Sequence, residues 1–201
     1  SSRTGNENAF DVRAVFDGSS GRFFLLATGS SSTACNPAAC PSHYFLAVSK
    51  TSAPASLGAG DWYFSALDAT LDNASPTARW ADFPSLGVSD DAVVITSQMF
   101  PFGEVGTGAN KTLKIRVLNK QPLLSGGIPR WVDFTNITDP TDGRPLGAAL
   151  QPAHHLSSSN TVFVTGLPTS GCGLVVFGIQ NAATAPTITS RAVPSSVSCG
   201  P

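Results

Sequence analysis

The chain has 201 residues, 41% of them apolar and only 12% charged, with a formal net charge of -1. That length is enough to bury a sizeable core, and so weak a charge balance argues against nucleic acid or an anionic membrane surface as the main partner. Gly (19) and Pro (15) are abundant and Ser and Thr are frequent, which favours short strands and many turns over helices. The longest apolar run, GLVVFGI at 173–179, is far short of the roughly 20 residues a membrane-spanning helix needs. The sequence opens on Ser1, has its single Met at position 99 and shows no signal-like apolar region, as expected of a processed or partial product.

In chain order, FDVRAVFDGSSGRFFLLATGS from Phe10 reads as a strand, an Asp/Gly/Ser turn and a second, more apolar strand, the grammar of a β-hairpin. After the small loop CNPAAC, the stretch HYFLAVSKTSAPASLGAGDWYFSALDAT from His43 supplies two more strands. The hairpin pattern returns in ADFPSLGVSDDAVVITSQMF from Ala81 and in ALQPAHHLSSSNTVFVTGLP from Ala149. The second half returns in TLKIRVLNKQPLLSGGIPRWVDFTNIT from Thr112, placing Lys50 on Lys120 and Trp62 on Trp131, and more loosely from GLVVFGIQ to TITSRAV. The period is about 70 residues with four strands per unit, the signature of a repeat architecture. RFFLLAT, AVVIT and TVFVT are apolar on both faces, as strands covered on both sides must be. DWYFSALD and RWVDFTNI mix aromatic with polar residues, which suits outer strands half in water.

Four short antiparallel strands per unit describe a β-propeller blade better than a sandwich, whose strands pair across two sheets without sequence periodicity. The expected fold is therefore all-β, a propeller segment of three four-stranded blades at about 9–72, 81–138 and 148–194. Through DVRAVFDGSSGRFF, DFPSLGVSDDAVVIT and LQPAHHL the chain resembles secreted β-propeller repeat proteins of sialidase-like architecture, without the S-x-D-x-G-x-x-W Asp box and without WD or Kelch signatures. The resemblance is one of pattern, covers nearly the whole chain and implies a fold rather than a function. A ring takes roughly four to eight blades, and three would leave apolar flanks exposed. Further blades of a six- to eight-bladed ring, or another chain, are expected to complete it.

The even cysteine count fits disulfides of an oxidising compartment; of three possible pairings, Cys35–Cys40 with Cys172–Cys199 is preferred. Zinc would need tighter C-x2-C spacing or a nearby His pair. Three N-x-S/T sequons, at Asn73, Asn110 and Asn136, are candidate glycosylation sites that blade topology would place on one face. His154 and His155, adjacent on a strand, point to opposite faces and cannot share one ion without a bulge, and the third histidine, His43, lies in another unit.

A glycosidase needs two carboxyls flanking the scissile bond. Asp11 and Asp82 stand at unit starts, whereas Asp17, Asp90 and Asp91 fall in hairpin turns that favour Asp for backbone hydrogen bonding alone. The two glutamates are Glu7, in a polar N-terminal segment, and Glu104, in a Gly-rich loop; Tyr44 and Tyr63 fall within strands. No G-x-S-x-G, phosphate-loop or dinucleotide pattern occurs, and Lys50 and Lys120 suit strand-end solvation.

These features favour a non-enzymatic, secreted or cell-surface glycoprotein with a structural or adhesive role in a wall, matrix or filament, without cofactor or metal. Its expected partners are other protein chains or further blades through exposed blade edges, and glycans. The alternatives are a carbohydrate-active hydrolase with an axial carboxylate site, and a glycan-binding lectin using Trp62, Trp80 or Trp131 as stacking platforms.

Overall fold

The structure is a computed structural model that describes residues 7–31, 40–103, 110–147, 149–169 and 173–194. Runs rich in Val, Ile, Phe and Thr between Gly, Ser and Asp turns form antiparallel strands. The single helix among the described residues, α1 (Lys120–Leu123), is four residues long, with the Asn119 side chain accepting the Gln121 amide at its start. The all-β class expected from composition is what the structure shows.

Three four-stranded sheets form in succession, each a meander in which consecutive strands pair. The first contains β1 (Glu7–Asp17), β2 (Arg22–Ser31), β3 (Ser42–Ser49) and β4 (Trp62–Asp68). A small hairpin of β5 (Leu71–Asp72) and β6 (Ser75–Pro76) leads to the second: β7 (Arg79–Val88), β8 (Ala92–Pro101), β9 (Thr112–Asn119) and β10 (Trp131–Thr135). The third contains β11 (Gln151–Pro152), β12 (Thr161–Gly166), β13 (Gly173–Gln180) and β14 (Thr187–Pro194). None of these sheets closes on itself.

Strand pairing corrects one detail of the repeat. Trp62 pairs with Ser49 and Trp131 with Leu118, while the amides of Lys50 and Asn119 bond the carbonyls of Asp61 and Arg130. All four correspondences share an offset of 69 residues, so Lys50 matches Asn119. Lys120 stands one place further on because it opens α1.

The sheets stack face to face. Phe24, Leu26, Tyr44, Leu46 and Val48 of the first pack on Val93, Ile95, Met99 and Leu118 of the second. Ala92, Val94, Ile115 and Val117, on the other side of the second sheet, pack on Val162, Val164, Val175, Phe177 and Ile179 of the third. AVVIT in β8 is therefore covered on both faces, at roughly 1.5–3 kcal/mol for each large apolar side chain buried. RFFLLAT in β2 departs from expectation: Phe24 and Leu26 are buried, but Phe23, Leu25 and Ala27 alternate with them and stay partly exposed, because no described element lies on that side.

The first strands of the sheets run close together. β7 packs against β1 and β11, and a Cβ added at Gly87 would lie 2.5 Å from Cβ of Pro152, so only glycine allows that approach. Both β1 and β7 break register at a bulge, between Phe10 and Arg13 and between Asp82 and Ser85. Each bulge holds a left-handed residue, Asp11 at φ 54° and Phe83 at φ 47°. The left-handed region tolerates Asp, but a phenylalanine there is a true outlier.

Candidate functional site

The two bulges bring together the carboxylates that stand at the unit starts. The negative charge of Asp11 acts on Asp82. Burial pushes the Asp82 carboxyl above its ordinary value, the Phe83 amide that bonds it at 2.9 Å opposes the shift, and the Asp11 charge adds to it. A carboxyl shifted upward beside a second carboxylate is an arrangement suited to proton transfer, and the strained Phe83 sits next to it.

A second polar site forms where the turns of three hairpins meet. Asp17, Ser19, Ser89, Asp90, His155 and Ser158 are among the residues lining a cavity of about 510 Å³. At its edge the buried Lys120 ammonium donates to Asp17 Oδ2 at 2.9 Å and to Ser19 Oγ at 3.0 Å. Burial alone would raise the Asp17 carboxyl; hydrogen bonds from Ser20, Lys120 and Ser19, with the Lys120 charge, hold it below its ordinary value. Asp17 also accepts the Ser19 and Ser20 amides at 3.2 and 3.3 Å, the turn role its position suggests. Asp90 accepts the Ser158 hydroxyl, tying the turn of the second sheet to that of the third. Lys120 is thus an ion-pair partner between sheets rather than a solvating strand end.

The densest buried charge was not singled out by the sequence. Arg116 binds Asp133 in a bidentate pair, Nε to Oδ1 at 2.7 Å and Nη2 to Oδ2 at 2.9 Å, with both side chains fully buried. Its remaining donors reach the carbonyls of Asp68 and Leu71, and its guanidinium lies over the rings of Tyr44 (5.3 Å) and Trp131 (4.9 Å). Lys114 Nζ bonds the Ala69 and Leu71 carbonyls and lies 2.6 Å from Asp72 Oδ1. Burial lowers the Lys114 ammonium's pKa, against the Asp72 bond that raises it. Asn73, at φ 56°, donates its amide to Asp133 Oδ2 at 2.7 Å and accepts the Asp133 amide at 2.8 Å. The cluster clamps the β5–β6 connection onto the second sheet. Its one sequence signal is the alternation of Lys114 and Arg116 in TLKIRVLN, two cations on one face of an otherwise apolar strand.

The other sequence candidates disperse. Tyr44 is fully buried, bonds Ser97 at 2.5 Å and is pushed up to about 12 by burial, so it is no nucleophile; Tyr63 lies under Lys50 Nζ, 4.8 Å from its ring. His43 pairs with Glu7 at 2.7 Å and stacks on the Phe45 ring. His154 is exposed, and the buried His155 Nε2 has no hydrogen-bond partner among the described residues. Asp91 is exposed and its carbonyl accepts the Lys120 amide.

Trp62 is buried with its indole bonded to the Ser56 carbonyl, and Trp131 lies under Arg116. Trp80 packs with Phe10 and Phe100. Asn73, Asn110 and Asn136 are all exposed, although the Asn73 side-chain amide donates to the Asp133 carbonyl at 3.2 Å. Cys40 is disulfide-bonded; Cys35, Cys172, Cys199 and Glu104 lie outside the described residues. Among the described residues no group of three His, Cys, Asp or Glu is placed to hold a metal ion, and no helix is long and apolar enough to cross a membrane. The chain matches no protein-family model, no curated protein and no solved structure.

Proposed function

We propose that the chain is an arc of a β-propeller, each four-stranded sheet a blade, acting as a structural or adhesive module of an extracellular assembly. The observation that carries this reading is the recurrence of one meander three times, stacked face to face with the first strands gathered together. Clamped connections between sheets and an apolar flank facing solvent are what a scaffold needs, since they stiffen the unit and leave it a surface for association. The Cys40 disulfide supports an oxidising compartment, and the exposed sequons support glycosylation there.

Intact mass before and after glycosidase treatment of the protein from a eukaryotic secretory host tests the compartment. At least two occupied sequons are expected, with Asn110 and Asn136 filled ahead of Asn73, whose amide is already engaged. An unchanged mass overturns the glycoprotein reading.

The raised Asp82 carboxyl beside Asp11 specifically favours the alternative, a carbohydrate-active hydrolase. Its test is release of reducing sugar from a panel of polysaccharides. Activity that is lost in both Asp11→Asn and Asp82→Asn supports it, and no release from any of them removes it.

A further inference from the structure

The side of the first sheet that faces away from the second is built like a core. Cross-strand registers set Ala27, Phe45 and Ala66 in one row and Leu25, Ala47 and Phe64 in the next. Large and small residues alternate both along and between the rows, leaving a groove whose lining is almost wholly apolar. Such alternation serves interdigitation with a facing layer, and a water-facing sheet side would carry polar residues instead. Val12 is nonetheless 68% exposed there and Phe64 62%.

The repeat offset says what belongs on this side. Phe45, Ala47 and Phe64 correspond to Lys114, Arg116 and Asp133, and Leu25, the partner of Ala47, corresponds to Ile95, the partner of Arg116. In the second sheet all four of those positions are buried on the side that the first sheet covers. The vacant side of the first sheet is therefore the one that, one repeat later, receives a preceding sheet. The third sheet likewise turns Phe163 (45% exposed), Leu174 (44%) and Val193 (44%) away from the second, on a side that also carries Thr161, Thr165, Gln180 and Arg191.

We propose that the outer side of the first sheet is a docking surface for the outer side of the third sheet of a second copy of this chain. The inference rests on the blade reading and names its partner. The contact is heterologous, joining unlike surfaces in the same sequence of sheets that the chain builds internally, and two copies bring six sheets, within the roughly four to eight of a closed ring. The groove side carries no charged residue in its two central rows, which suits the Phe163, Leu174 and Val193 side chains of the facing layer.

Sedimentation velocity of the intact chain up to about 1 mM, with the variants Phe64→Asp and Leu174→Asp, tests this. Wild type should reach a two-copy species, and each variant should dissociate at least about tenfold more readily with unchanged circular dichroism. Mixing the two variants should restore association, because one of the two contacts then joins unaltered surfaces. Wild type that stays monomeric, or Leu174→Asp that associates normally, overturns the proposal. Should a variant misfold, hydroxyl-radical labelling of wild type reads the same point. Phe64 and Phe163 should become protected with rising concentration while the exposed Ile128 and Leu156 do not, and constant labelling of all four overturns it. A monomeric wild type leaves the blade reading standing, since that depends on the arrangement within one chain.

Discussion

Asp82 and Asp17 are carboxylates pushed in opposite directions, and the signs of their effects on stability differ. Asp82 has a folded-state pKa above its unfolded value, so its stabilising contribution is present below the unfolded value, about 3.9, and is lost as pH rises through the folded value. Asp82→Asn, which keeps an oxygen for the Phe83 amide, should raise Tm at pH 7, with the gain disappearing below pH of about 3. Asp17 has a depressed folded pKa, so its contribution is present above the unfolded value and is lost as pH falls through the folded one. Asp17→Asn should therefore cost stability at pH 7 and little in strong acid, as thermal melts across pH would show.

In the clamp, Asp133→Asn strands a buried guanidinium and should cost about 3–5 kcal/mol in urea unfolding. Arg116→Met combined with Asp133→Asn should recover part of that loss. Position in the repeat made it legible that Asp11 and Asp82 both stand at unit starts. It did not show that Lys114, Lys120 and Arg116 are buried, because a cation in a strand reads as solvated until the connection that covers it is known.

At the scale of elements, the hairpins were legible because Asp-Gly-Ser-Ser and Ser-Asp-Asp are turn chemistry wherever they occur. The first-strand bulges were not, since nothing in FDVR or DFPS marks a left-handed Asp11 or Phe83. The step between Lys50 and Lys120 was misread by one residue because like residues were matched, whereas the ladder matches hydrogen-bond partners. β2 shows a different limit. A strand apolar on both faces announces that both are to be covered, without saying whether the cover belongs to the same molecule. Gly87→Val should push β7 away from Pro152 and cost about 1–3 kcal/mol, and amide exchange should report the loosening in β11 and β12 before β2 and β3.

On the scale of the whole molecule, the second sheet is the only one of the three covered on both sides by described residues, and the flanking sheets each keep large apolar side chains in water. Repeat arrays are stabilised by contacts between neighbours, so the end members are the weakest parts until something caps them. The period and the number of units could be seen in the sequence because turn signals recur at near-constant spacing. The stacking order and the vacant side could not, since they depend on which parity of each strand faces inward. Class-averaged electron micrographs of the assembled protein test the central claim most directly. The expected result is sheets fanned about one axis with β1, β7 and β11 innermost, and sheets layered in parallel without a common axis would contradict it.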